Sequence, residues 1–137
     1  MTAGEQGSLG SITVERQAAL AFAAAYDPQP FHLNDEAGKA SPLGALAASG
    51  WHTASLAMRL IADNFLARYK SMGSPGVRDL KWIKPVLIGD QLETRYAILG
   101  IRPSSRGDRG YAEVHFSARN QTGDEVFSMT ATLIIGR

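Results

Sequence analysis

The chain has 137 residues, enough for one domain with a proper core and too few for two ordinary ones. Hydrophobic residues make up 45% and charged residues 20%, with a formal net charge of +1, so charge alone implies no nucleic acid or other polyanion partner. No cysteine is present, which excludes disulfides, thiolate metal sites and a cysteine nucleophile, and a cytoplasmic location is expected.

Residues 1–10, "MTAGEQGSLG", are small, polar and glycine-rich and read as a flexible lead-in, with order beginning near Ile12 and a single domain over 11–137. From Glu15 to Tyr26 the alanines, Leu20 and Phe22 favour a helix. It is too short to span a bilayer and lacks the basic-then-apolar order of a signal peptide, so no membrane association is expected. Pro28 disfavours helical geometry at Asp27, which therefore lies at or just beyond the helix end. "NDEAGKA" then makes a short helix capped by Asn34, its first-turn acids suiting the helix dipole, and "SPLG" ends it.

Between Ala48 and Lys70 the residues Trp51, Ala54, Met58, Ile61, Phe65 and Tyr69 recur at spacings of three and four, which predicts one long amphipathic helix with this stripe inward. Leu56, Leu60 and Leu66 lie off the stripe, so the helix is apolar on most of its girth and calls for something that wraps it. The remainder reads as strands. "GVRDLKWIKPV" and "DQLETRYAILGIR" are separated by "LIGD", and "GYAEVHFSARN" and "EVFSMTATLIIGR" by "QTGD". Pro85 must sit at a strand end or an edge. With a short strand near Ile12 these give an antiparallel sheet and an α+β domain in which a curved sheet can enclose the long helix.

The loop "YDPQPFH" carries the chemistry. Asp27 and Gln29 each precede a proline, and Pro28 and Pro30 fix their own φ, so the segment is stiff and presents Asp27 and His32 at a set separation. An imidazole exchanges a proton near neutral pH and a carboxylate can share that task or orient a water, which suits the addition or removal of water. "ASGWHT" supplies a complement, because Ser49 and Gly50 stand where the long helix starts and the free N–H groups there face an anion. Each feature also has a plainer explanation. A proline-rich loop is commonly just a loop, and Asp35 and Glu36 are explained by the helix start, so no metal is expected. His52, in the first helical turn, and His115, in a strand, read as structural or surface residues. Trp51 fits the core stripe or a pocket wall, and Arg102, Arg106 and Arg109 fit a solvated hairpin turn or a phosphate site.

The stretch "FAAAYDPQPFHLNDEAGKASPLGALAASGWHTASLAMRL" resembles the MaoC-like dehydratases, relatives of the (R)-specific enoyl-CoA hydratases, and "KWIKPVLIGDQL" resembles the family's later strand and turn. The resemblance runs from about Ile12 to the C-terminus. It implies a hot-dog fold, an antiparallel sheet wrapped around a long central helix, acting as a homodimer. It implies a hydratase or dehydratase of 2-enoyl- and 3-hydroxyacyl-CoA thioesters, with Asp27 and His32 as the acid–base pair and Gly50 as the backbone donor to the thioester carbonyl. Ser49, Gln29 and Trp51 join Gly50 as oxyanion or substrate-binding candidates. Lys81, Lys84 and Arg102 are candidates for the CoA phosphates from charge and position, and no cofactor is implied. Three positions depart from the hydratase pattern. Gln29 replaces an Asn, Ser49 stands where many hydratases carry His, and a hydroxyl found further along the helix in some of them falls near Met58. The alternatives are a hot-dog acyl-CoA thioesterase and a non-catalytic acyl-thioester binding subunit.

Overall fold

A computed structural model describes all 137 residues. Strand β1 (Gln6–Thr13) leads into helix α1 (Arg16–Tyr26), a 3₁₀ turn (Pro30–His32), helix α2 (Asp35–Ala40) and helix α3 (Gly50–Asn64). A second 3₁₀ turn (Leu66–Arg68) precedes strands β2 (Gly76–Trp82), β3 (Gln91–Pro103), β4 (Arg109–Arg119) and β5 (Glu125–Gly136). The five strands form one sheet in the order β1-β3-β4-β5-β2, every pair antiparallel. No helix is long and apolar enough to cross a membrane.

The strand pattern explains which sheet face is covered. In β3, Leu92, Thr94, Tyr96 and Ile98 are buried, and in β4, Ala112, Val114, Phe116 and Ala118, so every second side chain points to one face. That face packs on α3, whose Ala57, Leu60 and Ile61 share a single core with Leu9 of β1 and with the inward residues of β3, β4 and β5. Phe65, fully buried, sits at the centre with its ring 4.8 Å from Tyr96 and 5.5 Å from Phe116. An antiparallel sheet laid over one long helix is the hot-dog fold.

Four sequence expectations need correction. The flexible lead-in is shorter than ten residues, because Gln6 to Gly10 already belong to β1 and pair with β3. The long helix ends at Asn64, and Phe65 and Tyr69 reach the core from its C-cap and from the turn beyond. Its buried side is His52, Thr53, Ala57, Leu60 and Ile61, whereas Trp51 is 56% and Met58 42% exposed. The "LIGD" turn does not make a hairpin. β2 crosses to the far edge beside β5, and β1 takes the place next to β3. Pro85 lies past the end of β2, where its missing N–H costs no ladder bond.

Two contacts hold the segment that carries Asp27 and His32. Arg16 of α1 and Asp35 of α2 form an exposed ion pair at 2.6 Å that spans the loop from outside. On the inner side, α2 packs against the backbone ahead of α3 so closely that a Cβ on Gly38 would lie 2.4 Å from the Leu46 nitrogen. The next residue, Ala47, pairs with Leu87 in an isolated bridge and donates its N–H to the Phe31 carbonyl at 3.3 Å.

Candidate active site

Helix α1 stops at Asp27 as the proline rule requires, with φ −153° and ψ 64°, and the Asp27 N–H closes the helix onto the Ala23 carbonyl at 2.8 Å. Gln29 is extended, Pro30 opens the 3₁₀ turn at its first position, and the turn ends on His32. The stiff loop thus delivers both side chains to one cleft of about 380 Å³, which Gln29, Gly50, Trp51 and Lys84 also line.

His32 is buried, and its Nδ1 lies 2.7 Å from the Ala47 carbonyl oxygen. A carbonyl only accepts, so Nδ1 carries a proton, and Nε2 is the nitrogen turned to Asp27, 3.4 Å from Oδ2. Ser49 donates its hydroxyl to the same Oδ2 at 2.7 Å, and Gln29 donates its side-chain N–H to Oδ1 at 2.7 Å. Burial pushes the Asp27 carboxyl up, but the bonds from Ser49 and Gln29, with His32 whenever it is protonated, outweigh it and leave the group below the ordinary carboxylate value. Asp27 is therefore ionised at neutral pH.

Helix α3 begins beside this pair. Ser49 is its N-cap and accepts the Trp51 N–H, while His52 and Thr53 donate to the Ser49 carbonyl. The N–H of Gly50 has no acceptor within the chain, and Gly50 lines the cleft. The absence of a side chain there is enforced by Trp82, whose indole lies against it. A Cβ on Gly50 would come within 2.7 Å of the Trp82 ring, and the indole N–H donates to the Gly50 carbonyl at 2.7 Å. Trp51 meets Trp82 edge-on at 4.8 Å, so both indoles form one wall of the cleft.

The sequence candidates divide accordingly. Asp27, His32, Gln29, Gly50, Trp51 and Lys84 come together, and Trp51 is a cleft wall and not part of the core. Ser49, fully buried, lies behind Asp27, so its hydroxyl serves the carboxylate and the helix cap instead of an oxyanion. Lys84 lines the cleft while pairing with Asp124 at 3.1 Å. Lys81 stands on β2 outside the cleft lining. Arg102 is removed from it altogether. It pairs across to Tyr111 where β4 meets Ile134 of β5, seven residues along β5 from Phe127, the partner of Trp82, or roughly 23 Å at the rise of a strand. The guanidinium is held there by Glu113 at 3.3 Å and stacks over Tyr111 at 4.6 Å.

Trp82 and Thr53 also line the cleft and were not singled out in the sequence. Trp82 lies within "KWIKPV", but its contact with Gly50 spans 32 residues and has no local signal. His52 is buried against Phe22 with its rings 5.1 Å apart, and burial pushes its imidazole down toward the neutral form. His115 Nδ1 contacts the Thr130 hydroxyl at 3.2 Å within the sheet. Both histidines stand outside the cleft, and no group of three or more His, Cys, Asp and Glu side chains is disposed to hold a metal.

Comparison with known proteins places the chain in a family. The MaoC like domain model matches residues 3–122. The structure of the MaoC-like dehydratase from Rhodospirillum rubrum superposes with a TM-score of 0.93 at 38% identity, over 100% of this chain and 94% of that one. The (R)-hydratase from A. caviae involved in PHA biosynthesis shares the fold, with a TM-score of 0.77 at 21% identity over 97% and 96% of the two chains. Among curated proteins, the uncharacterized protein YdeM of Bacillus subtilis is 26% identical over 136 residues, 99% of this chain and 96% of that protein. With the family model covering most of its length and the fold matching throughout, the chain belongs to the MaoC-like dehydratase family.

Proposed function

We propose that the protein is a hydratase/dehydratase that adds water to a 2-enoyl-CoA thioester, or removes it from a 3-hydroxyacyl-CoA, with Asp27 and His32 as the acid–base pair. The observation that carries this reading is an ionised carboxylate and an imidazole Nε2 3.4 Å apart in a cleft that also contains an unpaired helix-terminal N–H. With Nδ1 committed to Ala47, a neutral His32 turns a lone pair toward the carboxylate, and two acceptors cannot bond each other. A water placed between them donates one O–H to each, which leaves its oxygen free to attack.

In hydration that oxygen bonds to C3, the π pair moves to C2 and the thioester oxygen becomes negative. Asp27 or His32 accepts the proton the water loses, and a proton is returned to C2, so that one H and one OH are added overall. The Gly50 N–H at the start of α3 is the donor suited to the thioester oxygen, aided by the positive end of the helix. Dehydration is the same path reversed, and it calls on no metal or redox cofactor. CoA phosphates would engage Lys84, which lines the cleft as Lys81 and Arg102 do not. The reading includes a homodimer, supported by the exposed apolar side chains of Met58 and Val77, which line one groove and are 42% and 51% exposed.

Steady-state assays with trans-2-enoyl-CoAs of several chain lengths test the reaction. Loss of the enoyl absorbance without thiol release is expected for wild type, with little turnover in Asp27→Asn and His32→Ala. Free thiol release would indicate a thioesterase, and equal rates in all three proteins would remove the catalytic assignment.

A further inference from the structure

Ser49 has no exposed surface, and its hydroxyl is fully committed. A hydroxyl has one proton to give. The Trp51 N–H occupies a lone pair at 3.3 Å, and the proton goes to Asp27 Oδ2 at 2.7 Å. We propose that Ser49 is a positioning residue for Asp27, tying one carboxylate oxygen to the first turn of α3, whose next residue presents the oxyanion N–H. The proposal rests on the reading of Asp27 as an acid–base group given above.

The geometry distinguishes Ser49 from the other neutral donor. Gln29 is exposed and reaches Oδ1 on a side chain with several rotatable bonds, whereas Ser49 is enclosed and has one. A short bond from a buried hydroxyl to a carboxylate is charge-assisted and poorly screened, so it fixes the carboxylate more firmly than an exposed amide can. Because Ser49 and Gly50 are consecutive, the base and the oxyanion donor share one anchor. Their separation, which must match the distance from C3 to the thioester oxygen, is then set by a single peptide unit and one hydrogen bond.

The groups facing Asp27 are few. They are His32 from the 3₁₀ turn, Gln29 from the loop and Ser49 from the start of α3, while Lys84 across the same cleft is paired with Asp124. Ser49 also caps α3, so a variant can act through helix stability alone. The titration of Asp27 separates the two roles, because losing a cap does not by itself change the affinity of a carboxylate for its proton.

The experiment compares wild type, Ser49→Ala and Ser49→Thr by ¹³C carboxyl NMR titration of Asp27 and by the pH dependence of enoyl-CoA hydration. Ser49→Ala introduces no clash, and circular dichroism checks that α3 persists without its cap. The expected result is an Asp27 midpoint moved to higher pH, an acid limb of kcat/KM moved the same way, and kcat lowered by roughly tenfold or more with little change in KM. Ser49→Thr, which keeps the hydroxyl, restores the Asp27 midpoint. An Asp27 midpoint unaltered in Ser49→Ala overturns the proposal whatever happens to the rate. Absence of hydration by wild type would instead strike the functional reading, while the titration still decides whether Ser49 holds Asp27.

Discussion

Asp27 and Glu113 are both partly buried carboxylates held below their ordinary values, and they are held in opposite ways. Glu113, on β4, is bound by the guanidinium of Arg78 at 2.5 Å and the Thr132 hydroxyl at 2.7 Å, with Arg102 at 3.3 Å. Two permanent cations saturate it. Asp27 has two neutral donors at 2.7 Å and an imidazole at 3.4 Å, a contact too long for a good hydrogen bond. A carboxylate compensated by arginines has no reason to exchange a proton. One steadied by neutral groups and facing a titratable ring keeps its charge available, and it lines the cleft described above. How a charge is compensated therefore distinguishes these two carboxylates better than the direction of their pKa, which is the same for both.

The sharpest way to break the contrast is to neutralise each carboxylate. Asp27→Asn and His32→Ala should each lower hydration by about 10²–10⁴-fold, measured as kcat/KM with circular dichroism confirming the fold. Glu113→Gln should leave kcat/KM within about twofold of wild type, since Glu113 lies outside the cleft lining. Next in size is Gly50→Ala, whose methyl must displace Trp82 from 2.7 Å. A loss of about 1–3 kcal/mol in urea unfolding is expected, with a shift in tryptophan emission and a fall in kcat.

Stability should record the saturated pair more modestly. Arg78 and Arg102 are each more than half exposed, so Glu113→Gln should cost on the order of 1 kcal/mol, decreasing in high salt. The pH dependence has the same sign for both carboxylates. Each folded value lies below the unfolded one, so each stabilises the fold fully above the unfolded value and loses this as pH falls through the folded value. The melting temperature of wild type should therefore fall on acidification more than that of Glu113→Gln. The smallest effect concerns the phosphates. Lys84→Glu should weaken apparent CoA-thioester affinity a few-fold at low salt and Arg102→Glu should not, and equal effects would return Arg102 to the binding site.

Much of the site was legible because it is local. The prolines that stop α1 and stiffen the loop act on their immediate neighbours, and the cap residue Asn34 accepts the Ala37 N–H as its type predicts. The period of α3 was also readable, but not its phase. The inward side begins with His52, Thr53 and Ala57, two polar and one small, whereas Trp51 and Met58 carry a stronger hydrophobic signal and lie outward. Residues 6–10 are ordered by backbone bonds to β3, to which composition is blind, and only Leu9 among them buries its side chain. The placing of β2 beside β5, of Trp82 on Gly50 and of Arg102 beyond reach are tertiary facts, set by strand order and not by spacing along the chain.

Gly38 touches neither Asp27 nor His32, yet it bears on how the His32 ring is held. Its bare Cα lets α2 settle on the Leu46 backbone, and that backbone continues into Ala47, whose carbonyl holds the Nδ1 proton of His32. A methyl at position 38 would lift the carbonyl from the ring. The imidazole could then turn or carry its proton on Nε2, so the choice of tautomer in the cleft depends on the thickness of a short helix packed behind it.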